Sequence, residues 1–153
     1  MSAESVRDWL GAHAPDLEHI EVEASTATVA EAAAALGVEP AQIAKSLAVR
    51  AGTQVFLLVA SGTARLDNAK AKAEFGNRPR MLGPEETLAV TGHPVGGVCP
   101  FGLPRPLRVY ADASLKAFDV VVPAAGDTHH ALRIAPGRLV ELADAEWIDV
   151  AQS

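Results

Sequence analysis

Lys45-Ser46-Leu47-Ala48-Val49-Arg50, then Ala51-Gly52-Thr53, then Gln54-Val55-Phe56-Leu57-Leu58-Val59-Ala60: two apolar-rich runs meet at a short break with glycine at its centre. That pattern predicts a β-hairpin, because glycine takes the positive φ that a tight reversal demands. The second run is almost wholly apolar, the composition of a strand covered on both faces.

Outward from the hairpin, helices and strands interleave irregularly. Upstream, Val6, Trp9, Leu10 and Ala14 recur at helical spacing, with Ser2 or Ser5 as cap and Pro15 as terminator. Residues 19–23 alternate as a short strand. Thr28 and Glu31 form a capping box that opens a helix from Val29 to Leu36, closed by Gly37. Pro40 to Ala44 adds one helical turn before the hairpin. Downstream, Asp67 caps a helix from Asn68 to Phe75 that Gly76 stops, and Pro84 with Glu85 and Glu86 starts a helix to Val90. Residues 107–111, 118–122 and 130–134 read as strands, with a helical turn at 112–115. Residues 139–142 and 146–150 finish as short helical or irregular pieces. This interleaving with a hairpin predicts an α+β fold on a mixed sheet.

The bulk numbers fit one domain over residues 1–153, with a core at about 25–143, and no second domain. The chain is 49% apolar and 21% charged, ordinary for a folded protein. No run reaches the length of a membrane span, and the N-terminus lacks the apolar region of a secretory signal. One cysteine excludes an internal disulfide and a multi-cysteine zinc site. A cytoplasmic protein without membrane contact, metal or cofactor is expected. The net charge of −6 argues against a general DNA or RNA coater. Locally the balance reverses: Arg65, Lys70, Lys72, Arg78 and Arg80 face only Asp67 and Glu74. That stretch reads equally as a solvated helix face or as a nucleic-acid contact.

Gly96-Gly97-Val98-Cys99-Pro100-Phe101-Gly102 is the second informative stretch. Adjacent glycines leave their amides unshielded, and a cradle of bare N–H groups suits an oxyanion or a carboxyl oxygen. A tight turn explains the same residues. His129 and His130 are neighbours in a strand, so at most one faces any given site. His130, on the face of Leu132, is the better candidate, with Asp127 in the preceding turn. Ser61-Gly62-Thr63 with Arg65 suits phosphate but lacks the lysine and spacing of a P-loop.

Ile43-Ala44-Lys45-Ser46-Leu47, the glycine loop 96–102 and Ala124-Ala125-Gly126, in that order and spacing, resemble the YbaK family. These are free-standing relatives of the editing domain inserted in bacterial prolyl-tRNA synthetase. The resemblance implies a curved, barrel-like mixed sheet and hydrolysis of the ester of a mischarged tRNA. It further implies a small amino acid, cysteine or alanine, on tRNA(Pro) or a related tRNA. Lys45 matches the residue most tied to activity in the family, as an oxyanion or phosphate cation, or as a base if desolvated. Gly96, Gly97, Val98, Cys99 and Pro100 match the lining of the amino-acid pocket, with Gly126, Asp127 and His130 as further substrate contacts. Arg65, Lys70, Lys72, Arg78 and Arg80 become the expected surface for the tRNA acceptor end, and a cognate synthetase a further partner. The chain departs from the family at Cys99, where serine is common, and near Arg133, where some members carry an acid. A non-catalytic tRNA- or synthetase-binding module, or a hydrolase of small acyl esters, stands as the alternative.

Overall fold

A computed structural model describes residues 2–152. In chain order the elements are α1 (Ser2–His13), β1 (Ile20–Glu21), α2 (Val29–Leu36), β2 (Ile43–Ala51), β3 (Gln54–Ser61), α3 (Asn68–Phe75), β4 (Arg80–Met81) and α4 (Pro84–Thr91). Then come β5 (Arg108–Asp112), β6 (Val122–Pro123), β7 (His130–Ala131), α5 (Pro136–Ala143) and β8 (Glu146–Ile148). Single 3-10 turns at Pro40–Gln42 and Ala113–Ala117 lead out of α2 and β5.

The hairpin organises everything else. β2 and β3 pair antiparallel from Ala44↔Ser61 to Ala51↔Gln54, and Gly52 turns between them at φ 62. β5 adds to β3 in parallel and β8 adds to β5, so β3 is interior. Successive β3 side chains enter opposite layers, as a period of two requires. Leu57 and Val59 join a core with α1, α5 and Phe101, whereas Phe56 and Leu58 meet Ala71 of α3, Ile148 and Val150. All four are at most 1% exposed, and full burial of each contributes about 1.5–3 kcal/mol.

Helix ends follow local chemistry. The Thr28 hydroxyl accepts the Glu31 N–H at 3.1 Å and donates to the Glu31 carboxylate, so the box closes through one hydroxyl. Asp67 accepts the Lys70 N–H, and Gly37 and Gly76 end their helices in the left-handed conformation.

The outer edge of β2 is incomplete. β6 pairs in parallel with Ile43 and Ala44, and β4 pairs antiparallel with Val49 and Arg50. Between them that edge has no partner strand among the described residues. The sheet therefore stays open rather than closing into a barrel. Of the expected strands at 118–122 and 130–134, residues 118–120 and 132–133 are irregular and Val121 and Ile134 only bridge each other, while 146–148 is strand rather than a helical or irregular piece. These are short pieces whose conformation is set by the neighbour they meet. Buried Asp112 fastens the far side, accepting the N–H groups of Ser114 at 2.9 Å and Val150 at 2.8 Å.

Candidate active site

A cavity of about 390 Å³ fills the gap along β2. Its walls are residues 43–48 of β2, the start of α2 with Thr26 and Ala27, Pro84 and Thr87 of α4, and Gly96 and Val98 of the glycine loop. Val122, Pro123, Ala124 and Ala131 close the remaining side. Most of this lining is apolar and much of it is small.

Lys45 is the cationic side chain in that lining. It is half-buried, and its Nζ donates to the Ala64 carbonyl at 2.6 Å, in the turn that Ala64 N–H closes onto Ser61. Desolvation first, and then the nearby Arg65 guanidinium, lower its pKa from the ordinary lysine value. An ammonium with one donor committed keeps two for a ligand.

The main chain contributes as well. The Gly62 N–H bonds to the Ile43 carbonyl at 2.7 Å, which sets the alternation of the β2–β3 ladder. Odd-numbered β2 residues accordingly bond to β3, and the N–H and C=O of Ser46 turn to the unpaired edge. Gly96, at φ 91, sits where a Cβ would lie 2.9 Å from the Ala27 carbonyl oxygen, so the loop closes against the entry to α2 only because no side chain is there. Its N–H finds no acceptor among the described residues.

Gly97 occupies a different place from its neighbour. Its N–H bonds to the Pro94 carbonyl and its C=O accepts from Gly126, while a Cβ would stand 2.5 Å from Asp127 Cα. Gly97 and Gly126 are thus a backbone-to-backbone contact that braces the loop, where the sequence suggested free amides. Val98 lines the cavity; Cys99 and Pro100 are buried outside it. Burial pushes the Cys99 thiol up to about 12, with its Sγ 3.6 Å from the Phe101 carbonyl oxygen. His93 is also fully buried, and its Nε2 donates across the loop to the same carbonyl at 2.8 Å.

His130 and Asp127 lie behind the cavity wall. In β7 it is Ala131 that faces the cavity, so His130 points the other way. There its Nδ1 meets Asp127 Oδ1 at 2.7 Å, and its ring stacks on His19 at 4.6 Å. Burial acts to raise the Asp127 pKa, yet the hydrogen bonds from His130 and the His129 N–H together hold it below the ordinary value. No group of three or more His, Cys, Asp or Glu among the described residues is arranged to hold a metal. Of the basic stretch, Lys70 is engaged by Asp149 at 3.3 Å and by the Ala151 carbonyl. Arg65, Lys72, Arg78 and Arg80 are exposed.

Sequence reasoning missed Ser46 and Thr26 as lining residues. Ser46 was reachable, since it follows Lys45 on a strand that proves to have a bare edge. Thr26 carries no local signal; it is 4% exposed and comes to the wall because its N–H bonds to the Thr128 carbonyl at 2.7 Å.

Comparison with known proteins agrees with this architecture. The family model of the aminoacyl-tRNA editing domain matches residues 23–142. An uncharacterised protein of Bacillus subtilis, YwhH, is 46% identical over 99% of this chain and 98% of its own length. The proline–tRNA ligase of Shouchella clausii is 32% identical over 75% of this chain, which corresponds to 20% of that enzyme. A crystal structure assigned as a proposed trans-editing enzyme for prolyl tRNA synthetase superimposes with a TM-score of 0.90 at 36% identity, covering 99% of this chain and 98% of the other. With a match over most of its length and the same fold throughout, the chain belongs to the aminoacyl-tRNA editing domain family.

Proposed function

We propose that this protein is a trans-acting aminoacyl-tRNA deacylase that removes a small amino acid, cysteine or alanine, from mischarged tRNA(Pro) or a related tRNA. The observation that carries this reading is the half-buried Lys45 ammonium in the wall of a largely apolar cavity beside a bare sheet edge. An aminoacyl ester is already activated, so the enzyme has to place water and stabilise charge on the carbonyl oxygen. Lys45, the Gly96 N–H and the Ser46 N–H are the donors available for that oxyanion. Water attacks the carbonyl carbon, the bond to the terminal ribose oxygen breaks, and that oxygen leaves with a proton. Among the described residues no histidine or carboxylate lines the cavity, so proton transfer falls to water and to groups of the substrate itself.

Selectivity follows from the walls. The small side chains of Ala27, Ala32 and Ala131 leave room for an acyl group in the compartment, and a pocket separates neighbouring acyl groups by only about 1–3 kcal/mol per methylene. Arg65, Arg78, Arg80, Lys72 and Lys70 supply the contact for the acceptor end in the cytoplasm, where tRNA is charged. A panel of mischarged tRNAs tests this reading. Hydrolysis of the small-residue members, with a loss of about 10²-fold in Lys45→Ala, is expected for an oxyanion donor. Equal rates for variant and wild type remove Lys45 from the mechanism. Tight tRNA binding without turnover on any member replaces the deacylase by a non-catalytic tRNA- or synthetase-binding module.

A further inference from the structure

The large apolar side chains exposed among the described residues are Met81, Leu88, Val95 and Val120. Met81 is 62% exposed and Val95 58%, and both line the cavity. They approach it from separate segments, Met81 from β4 and Val95 from the loop after α4. Apolar surface exposed at the rim of a pocket marks an interaction or ligand-binding surface.

We infer that this rim is a platform for the base of the 3′-terminal nucleotide, with Met81 and Val95 against the base and Arg80 toward the phosphate behind it. The inference rests on the deacylase reading and names the part of the substrate that the inner cavity leaves unaccounted for. A volume of about 390 Å³ lies in the range of sites that enclose a drug-sized ligand. A small aminoacyl group does not fill it, so the nucleoside that carries the ester enters too. Register gives the distances: Met81 pairs with Val49, four residues along β2 from Lys45. At the rise of a strand that is about 13 Å, room for a ribose and a base between the ester and Met81.

The charges agree with a nucleotide. Arg80 precedes Met81, is exposed, and has no ion-pair partner among the described residues. Its cross-strand neighbour Arg50 is already paired with Glu86. A free guanidinium beside an apolar rim suits a base followed by its phosphate, since a base presents two apolar faces and methionine offers a soft, polarisable one. A protein partner could cover the same side chains, but it would not explain their continuity with the cavity.

The test uses the full chain and two non-hydrolysable probes, 3′-alanylamido-adenosine and the same amide on a ribose without a base. Methyl-labelled methionine gives two resonances, Met1 and Met81. The adenosine probe is expected to shift the Met81 methyl and to bind about tenfold more tightly than the baseless one. Met81→Ser and Val95→Ser, both at exposed positions that do not hold the core, abolish that preference. Equal affinity for the two probes, no base-dependent binding at millimolar concentration, or a Met81 shift seen only with an added synthetase overturns the platform. Binding is read without turnover, so the two readings fail separately. Base-dependent binding with no hydrolysis of charged tRNA keeps the platform and removes the deacylase. Hydrolysis without base preference does the reverse.

Discussion

Lys45 feels burial and the Arg65 guanidinium pushing in the same direction, toward loss of its proton. The sign gives a direct experiment. With a pKa below 10.5, the ammonium disappears at lower pH than it would on a free lysine. If the cation stabilises the oxyanion, the deacylation rate, corrected for uncatalysed hydrolysis, falls as pH rises through that lowered pKa. Lys45→Arg, which keeps its charge, moves the fall to higher pH. A rate that climbs over the same range instead makes the neutral amine a base. Cys99 gives a second prediction at this scale. Fully buried and protonated up to about 12, it should resist alkylation in the native protein and react at once in denaturant. Mass spectrometry after iodoacetamide decides it, and rapid native labelling contradicts the packing described. Lys45 was singled out through the family resemblance, since a lysine at a strand end reads by itself as one that snorkels to solvent. The direction of His130 was not legible, because it depends on which of two neighbours in a two-residue strand faces the cavity.

Elements that carry their own boundary chemistry were legible residue by residue. Thr28, Asp67, Gly37 and Gly76 mark α2 and α3 in sequence and mark them in the fold. The hairpin likewise follows from its glycine turn and the two apolar-rich runs on either side of it. β4, β6 and β8 have two or three residues each and no such signals; they are strands because a longer strand lies alongside. Thr28→Ala removes the acceptor of the Glu31 N–H and is expected to cost about 1 kcal/mol, read from the urea midpoint. An unchanged midpoint shows that α2 is held by packing alone. Gly97→Ala brings a methyl within 2.5 Å of the Asp127 backbone, and overpacking of this kind costs roughly 1–3 kcal/mol. A midpoint equal to wild type means that the contact between the two loops yields without strain.

Across the whole molecule, stability is tied to two imidazoles, the buried His93 and the half-buried His19. Desolvation lowers the pKa of His93 against the opposing Phe101 hydrogen bond. Desolvation likewise lowers that of His19, against its bond to the Ala125 carbonyl. In both cases the unfolded chain, with pKa near 6.5, takes up protons first as pH falls. The contribution is therefore full above 6.5 and is lost as pH drops toward the lowered folded values. The urea midpoint is expected to fall between pH 7 and pH 5, and a flat profile contradicts neutral burial of these rings. The overall class was legible from interleaved helices and strands around one hairpin. The open edge was not, since nothing in the sequence says where along β2 its outer neighbours attach.

That attachment has an evolutionary consequence. Because the compartment is a space left between two tethers on a single strand, its extent along that strand depends on the spacing of β4 and β6. A relative that moves either tether by a residue resizes the chamber while inheriting the hairpin unchanged.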